Sequence, residues 1–186
     1  MVGKINDRRG QIRDRVSIEE RPAIVDERKR IGDWEVDTMI GTPGGAVLVT
    51  VVERTSRLAR AALSPDKTAE SVKKALLKVL QPLSAQVHTL TYDNGKEFAL
   101  HADIAAELKA ECFFAHPYHS WERGLNENTN GFIRQYLPKG SDFNTLTLEQ
   151  VESIIERLNN CPRKCLEFRT PNQVFFGIDP PVALAS

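Results

Sequence analysis

The chain lacks a long hydrophobic run, a CxxC cysteine pair and an excess of charge of either sign. A membrane-spanning helix needs about 20 consecutive apolar residues, and no run approaches that length. The first residues are polar and charged, which is not the pattern of a signal peptide. We therefore expect a cytoplasmic protein that has no membrane partner.

Cysteine is scarce: Cys112, Cys161 and Cys165 are the three present, and none of them forms a CxxC pair. His116 and His119 lie far from Cys161 and Cys165 in the sequence, so the spacing does not match a zinc ribbon. In a cytoplasmic protein, thiols with this spacing are expected to be reduced.

Net charge is zero, because 25 Lys and Arg residues balance 25 Asp and Glu residues. This balance argues against binding nucleic acid through bulk charge alone. Basic residues are nevertheless concentrated between residues 8 and 30 and between residues 157 and 169. Local basic patches in a neutral chain suit a protein that binds phosphates with its basic residues and also has a cluster of acidic side chains.

The hydrophobic pattern predicts one α/β domain, in which a mixed five-stranded sheet is flanked by helices. We assign residues 1–30 to a basic linker or arm, 31–180 to the core and 181–186 to a tail. Strands are predicted at about 33–41, 46–53, 57–63, 87–92 and 112–115. Helices are predicted after residue 66 and at about 97–108, 121–137, 147–159 and 170–177.

Three acids stand in settings that favour a metal site. Asp37 lies in the middle of the first predicted strand, Asp93 ends the fourth, and Glu127 lies inside a predicted helix. Brought together, two strand carboxylates and one helix carboxylate would form an oxygen-rich site for a hard divalent cation. Asp33 and Glu35 share the strand face of Asp37 and are the alternative candidates.

Each acid also has an ordinary interpretation. Asp93 before Asn94 and Gly95 is a common turn sequence, Glu127 could lie on a solvated helix face, and Asp37 on a solvated strand. Against the solvated helix stand the mediocre helix formers around Glu127, namely Asn126, Asn128, Asn130 and Gly131. Such local inconsistency tends to mark functional sites.

Five ordered segments resemble a known family. Gly32–Asp37, Tyr92–Phe98 and Trp121–Gly131 are similar to the three acidic motifs of DDE transposases, and more narrowly to the IS-thirty family of insertion-sequence transposases. Arg134–Gly140 and Asn160–Leu166 also resemble signatures of that family. The 33 residues between the second and third acids fit its spacing.

The resemblance implies a ribonuclease H-like fold of the retroviral integrase superfamily and a DNA transposase that cleaves and transfers strands by in-line phosphoryl transfer. It implies that Asp37, Asp93 and Glu127 are catalytic and hold two Mg²⁺ or Mn²⁺ ions. The implied partners are element ends, a target duplex and further copies of the chain in a synaptic complex. Family members also carry an amino-terminal helix-turn-helix region that is not found in this sequence, so we expect an isolated catalytic domain or a truncated product.

The resemblance also suggests DNA contacts, although surface solubility alone would explain each of them. The candidates are polar or basic residues in or near the acidic segments and the last signature: Asn94, Lys96, Arg123, Asn130, Arg134, Lys139, Arg163 and Lys164. His116, His119 and Trp121 are interpreted either as packing and capping residues or as organisers of the active-site mouth. Glu97 is interpreted either as an outer acid of the site or as a helix-start residue.

Two other functions remain open from the sequence. One is a metal-dependent nuclease of the same fold that hydrolyses DNA without strand transfer. The other is a non-catalytic, DNA-binding regulatory domain, for which three acids placed near phosphate would have no use.

Overall fold

The computed structural model describes residues 12–117 and 119–178, which form a five-stranded mixed sheet covered by helices. The strands are β1 Asp33–Ile40, β2 Val47–Glu53, β3 Ala59–Ser64, β4 Thr89–Tyr92 and β5 Glu111–Phe114. Their order across the sheet is β3-β2-β1-β4-β5. The first three strands are antiparallel, whereas β4 runs parallel to β1 and β5 runs parallel to β4. The predicted sheet is confirmed.

The α-helices cover both faces of this sheet. They are α1 Ile24–Glu27, α2 Ala69–Leu80, α3 His101–Leu108, α4 Gly124–Ile133, α5 Leu148–Asn159 and α6 Pro171–Phe176. Thr68 caps the start of α2, and Thr147 and Thr170 form capping boxes at the starts of α5 and α6. Within residues 12–117 and 119–178, every helix falls short of the length and hydrophobicity that crossing a membrane requires.

Two hydrophobic clusters lie on opposite faces of the sheet. Trp34 and Val36 of β1 contribute to the larger cluster, beneath α2, α3 and α6. Met39 contributes to the smaller cluster, beneath α4 and α5. Since strand residues alternate between faces, Asp33, Glu35 and Asp37 share the α4 side with Met39. All of β2 is buried, in accord with its uninterrupted run of apolar and β-branched residues.

Two predicted helices differ from the structure. The predicted 121–137 helix is a 3-10 turn at Ser120–Arg123 followed by α4, which ends at Ile133. Tyr136, expected on its apolar stripe, is 43% exposed, while Asn126 and Thr129 are buried. The reason is that α4 covers the acid-bearing face of the sheet. The predicted 97–108 helix is also interrupted, by a 3-10 turn at Lys96–Phe98 that precedes α3.

Residues 12–30, predicted as part of a separate basic arm, pack against the core. Val25 is fully buried, Ser17 forms a parallel bridge with Phe114, and Arg21 donates to Thr91 Oγ1 at 2.9 Å. The basic composition of this segment did not indicate such packing, because arginines are mostly exposed. Arg21 is instead buried, and its Nη2 lies 2.6 Å from Asp26 Oδ1. Residues 1–11 and the predicted tail at 181–186 lie outside the described residues.

A buried amide joins α5 to the sheet. Asn159 accepts a hydrogen bond from the N–H of Ala59 and donates one to the carbonyl oxygen of Ala59, both at 2.9 Å. One side chain thus satisfies both backbone groups of the first residue of β3. Asn159 is 1% exposed, so water cannot replace these bonds.

We predict that Asn159→Ala lowers the free energy of unfolding by about 2–4 kcal/mol, because a buried donor and a buried acceptor lose their partners. Urea unfolding of the purified chain measures the change. The adjacent Asn160→Ala is the matched control: Asn160 is exposed and bonds to Glu156 at 2.7 Å, so a loss under about 1 kcal/mol is expected. Equal losses for the two variants would contradict the assignment.

Candidate active site

The register of β1 and β4 brings Asp37 and Asp93 to the same end of the sheet. Glu35 pairs with Thr91 in this parallel ladder, and each aspartate lies two residues further along its strand direction. Carboxyl ends of parallel strands meet at one edge, where α/β sheets bind ligands. Both carboxylates are partly buried, with side-chain exposures of 21% and 35%.

Local hydrogen bonds orient the two carboxylates. Asp37 Oδ1 accepts from the N–H of Thr38 at 2.8 Å, and its Oδ2 accepts from the Asn130 amide at 2.9 Å. Asp93 Oδ1 accepts from the N–H of Gly95 at 2.8 Å, which is the turn that the sequence suggested. The turn and a functional role are therefore compatible, since the turn uses Oδ1 of Asp93 and leaves Oδ2 for a partner from outside the turn.

Arg123 lies between the two aspartates. Its Nη1 is 3.4 Å from Asp37 Oδ1 and its Nη2 is 3.5 Å from Asp93 Oδ2. Burial raises the pKa of Asp37 and the nearby charge of Asp93 raises it further, whereas Arg123 and the Thr38 N–H act in the opposite direction. The guanidinium thus offsets repulsion between two carboxylates that share one pocket.

Glu127 lies on α4 and is exposed. Helical spacing places it on the same face of α4 as Asn130, which bonds to Asp37, while Arg123 precedes the helix. Across residues 12–117 and 119–178, Glu127 forms no ion pair, and the three carboxylates do not all approach within 4.8 Å of one another. The helix therefore carries Glu127 on the face that meets Asp37, but the three carboxylates do not converge.

Three bonds fix α4 on β1 and β2. Glu35 Oε2 accepts from the backbone N–H of Asn126 at 3.1 Å, and Thr50 Oγ1 donates to Asn130 at 3.0 Å. Arg134 donates to the carbonyl oxygen of Ile40 at 2.8 Å. The start, middle and end of the helix are thus tied to the strands that surround Asp37.

The alternative acids on β1 have structural partners. Asp33 bonds to Arg30 at 2.8 and 2.9 Å and accepts from Thr89 Oγ1 at 2.8 Å. Glu35 pairs with Arg54 at 2.5 Å. Both acids are 1% exposed, so neither is open to a ligand, and Asp37 is the β1 acid that faces the site.

The proposed DNA-contact residues fall into two groups. Lys96, Lys139 and Lys164 are exposed. Arg134 and Arg163 are held in the fold: Arg163 lies 4.5 Å from the Phe132 ring centroid and donates to a backbone carbonyl at 3.1 Å.

The two amides in the set also have protein partners. Asn94 donates to the carbonyl oxygen of Ala115 at 2.7 Å and accepts from Arg15. Asn130 lies between Asp37 and Thr50. These amides shape the site in the observed arrangement.

Two acids near the site were assigned incompletely or not at all from the sequence. Glu97, for which two interpretations were open, is buried, accepts from Thr38 Oγ1 at 2.8 Å and pairs with Lys67 at 3.0 Å. Glu122 meets His116 and His119 in a compact cluster. The spacing His-x2-His-x2-Glu in the sequence indicates this cluster, whereas a zinc ribbon would pair the histidines with cysteines.

The donor set suits a hard divalent cation. Asp37, Asp93 and Glu127 offer carboxylate oxygens, and the Arg123 guanidinium already lies as a positive charge between the first two. The nitrogen–oxygen distances of 3.4 and 3.5 Å exceed the roughly 2.7–2.9 Å of a strong charge-assisted hydrogen bond. Arg123 is therefore held loosely enough to give way to an ion.

Comparison with known proteins identifies the family. Residues 27–120 match the integrase core domain family. The chain belongs to the integrase core domain family. Members of this family use divalent metal ions, in agreement with the donor set described above.

The chain is similar to several insertion-sequence transposases. It is 49% identical over 174 residues to the transposase for insertion sequence element IS4351 of Bacteroides fragilis, covering 93% of this chain and 53% of the relative. It is 36% identical over 158 residues to transposase InsI for IS30A of Escherichia coli, covering 84% and 41%. The resemblance to the IS-thirty family is confirmed, and the chain spans about half the length of the curated relatives it matches.

Solved structures share the fold. A chain of the simian T-cell lymphotropic virus intasome, in complex with PP2A regulatory subunit B56 gamma, superposes with a TM-score of 0.65 at 19% identity, covering 83% of this chain and 56% of that one. The catalytic core domain of BIV integrase gives 0.56 at 22% identity, covering 77% and 93%. The predicted ribonuclease H-like fold of retroviral integrase cores is thereby confirmed.

We predict that Asp37→Asn stabilises the metal-free chain at neutral pH. A carboxyl whose folded-state pKa is raised costs stability when it is charged. This cost is absent below the unfolded-state pKa of about 3.9 and grows as pH rises to the folded-state value. The gain measured by urea unfolding in EDTA should therefore be present at pH 7.5 and vanish towards about pH 3.5.

Asp66→Asn is the control with the opposite sign. Hydrogen bonds from Thr68 lower the pKa of Asp66, so its charged form favours the fold at neutral pH. This substitution should lower stability at pH 7.5. Stabilisation by both substitutions, or by neither, would refute the electrostatic account of Asp37.

Proposed function

We propose that the chain is the catalytic domain of a DNA transposase, a DDE polynucleotidyl transferase that cleaves DNA and joins strands by in-line phosphoryl transfer. The observation that carries the proposal is the convergence of Asp37 and Asp93 on the Arg123 guanidinium, beside a helix face that bears Glu127. Membership of the integrase core family and similarity to insertion-sequence transposases support it.

In this function Asp37, Asp93 and Glu127 would hold two Mg²⁺ or Mn²⁺ ions. Bound ions would lower the pKa of an attacking water or 3′-hydroxyl and stabilise the leaving oxygen. Asp37 and Asp93 supply the fixed part of the site, since both are oriented by backbone N–H groups. Glu127 completes it from α4, and its exposed side chain can adjust to the substrate.

Arg123 has two tasks in this proposal. Its guanidinium neutralises the two aspartates, and it would also contact the reacting phosphate, whose geometry a guanidinium suits. Exposed Lys96, Lys139 and Lys164 would hold the DNA backbone, and such contacts position a strand more than they read its sequence. Asn94, Asn130, Arg134 and Arg163 would support this surface through the contacts they make within the protein.

The proposed partners are the ends of a mobile element, a target duplex and further copies of the chain. A structural neighbour is an intasome chain, which supports assembly on DNA as a general mode for this fold. The proposed cellular location is the cytoplasm.

We predict that Asp93→Asn abolishes Mn²⁺-dependent cleavage and joining of DNA, because it removes a charged oxygen donor from the centre of the site. The chain is incubated with a labelled duplex and with a 3′-hydroxyl donor plus a target duplex, and products are resolved on denaturing gels. Asp103→Asn, a change in an exposed acid of α3, should retain activity.

The products also separate the alternatives. Joined product supports the transposase, whereas cut product without joining would identify a nuclease of the same fold. Unchanged cleavage by Asp93→Asn would remove Asp93 from the catalytic set. DNA binding without either product, at all Mn²⁺ concentrations, would favour a regulatory domain.

We predict that Arg123→Gln tightens Mn²⁺ binding roughly tenfold, because the ion no longer competes with two ion pairs worth up to about 1 kcal/mol each. The same change should slow DNA cleavage. Isothermal titration measures the affinity, and the melting temperature at saturating Mn²⁺ reports the linked stabilisation. Arg157→Gln, a change in an exposed arginine of α5, should leave the affinity unchanged; weaker Mn²⁺ binding by Arg123→Gln would contradict the competition.

A further inference from the structure

A second group of possible metal ligands lies beside the aspartates. The ligand atoms of His116, His119 and Glu122 lie within 4.8 Å of one another, and no other trio of His, Cys, Asp or Glu in the described chain is so arranged. The two histidines line a cavity of about 390 Å³ that Asp93 and Arg123 also line. The side chains of the trio are 20–42% exposed, so an ion can enter from solvent.

The distances within the cluster suit a tetrahedral ion. Glu122 Oε1 lies 2.9 Å from His116 Nδ1 and 3.7 Å from His119 Nδ1. Zinc–ligand bonds of about 2.0–2.2 Å separate neighbouring tetrahedral ligands by roughly 3.4 Å, a value between these two distances. Small side-chain rotations would therefore bring all three atoms to bonding distance of a common centre.

Outer partners already orient two of the three ligands. His116 Nε2 lies 3.2 Å from Glu19 Oε1, and Glu122 Oε2 accepts from the backbone N–H of His116 at 2.8 Å. A carboxylate on the far nitrogen of an imidazole fixes the tautomer whose near nitrogen can bind a metal. Glu19 reaches this position because Ser17, two residues earlier, bridges to Phe114 at the edge of β5.

We propose that His116, His119 and Glu122 form a transition-metal site, suited to Zn²⁺ or Co²⁺ and separate from the centre built by Asp37 and Asp93. Two imidazole nitrogens and one carboxylate oxygen form a common zinc ligand set, whereas the carboxylates of the active centre favour harder ions. An ion here would tie the end of β5 to the start of α4. It would thereby fix the segment that carries Arg123 between the aspartates.

The test uses Co²⁺ as the probe and the full chain as the sample. A titration followed by visible absorption should show the d–d bands of one tetrahedral Co²⁺ ion per chain, and isothermal titration measures the affinity. His116→Ala and His119→Ala should each weaken this site at least about 100-fold, and Glu19→Gln about tenfold, as expected for an outer partner. His88→Ala removes an exposed imidazole outside the cluster and should change nothing. Circular dichroism confirms that each variant is folded, and His116→Gln replaces His116→Ala if the latter unfolds.

Asp93→Asn separates this inference from the proposed function. The tetrahedral bands should persist in Asp93→Asn, whether or not the chain proves to be a transposase. Absence of the bands in the unmodified chain, or their persistence in His119→Ala, would overturn the proposal. In that case the cluster is an ion-pair network, in which His116 links Glu19 and Glu122 without a metal.

Discussion

The structure depends on a buried carboxylate that bonds in two directions. One carboxylate oxygen of Glu35 pairs with the Arg54 guanidinium, and the other accepts a hydrogen bond from the backbone N–H of Asn126. Burial raises the pKa of Glu35, and the charge of Arg54 counteracts that rise. The N–H group belongs to the first turn of α4, so the acid holds the helix at its unsatisfied end. Together with the bonds of Asn130 and Arg134, this side chain sets the position of α4 relative to the strands that carry the aspartates.

The same interaction explains why the contact between β1 and the first turns of α4 is polar. Glu35 and Asp37 lie on one face of β1, and α4 meets them with Asn126, Thr129 and Asn130 in place of an apolar stripe. Hydrophobic packing resumes at Ile133, next to Met39. The last turn of α4 thus packs in the hydrophobic core, whereas its first turns lie against the acids of β1.

Much of the fold was predictable because its signals are local. The apolar run of β2 and the capping threonines of α2, α5 and α6 depend on residues that are neighbours in the chain. The packing of residues 12–30 was not predictable from their basic composition. It depends on the buried Arg21, one of whose partners, Thr91, is 70 residues away in the sequence.

The site was predictable to a similar extent. Asp37, Asp93 and Glu127 could be proposed from motifs and spacing, and the structure brings the first two onto a shared partner. Arg123 could be named as polar but not as the cation between them, because that role depends on the offset between two strands. Glu122 was not predicted as a ligand, although its partners His116 and His119 are close to it in the sequence. The two histidines were compared only with zinc motifs that contain cysteine.

The offset between β1 and β4 has a consequence for how the chain can change in length. Both aspartates stand two residues beyond the paired positions Glu35 and Thr91. Because strand side chains alternate, losing or gaining one residue before either aspartate would turn its carboxylate to the opposite face. The hairpin at 42–45, which follows Asp37, is free of this restriction. We therefore expect insertions and deletions to be tolerated in this hairpin. In the part of β1 that precedes Asp37, by contrast, the number of residues is fixed.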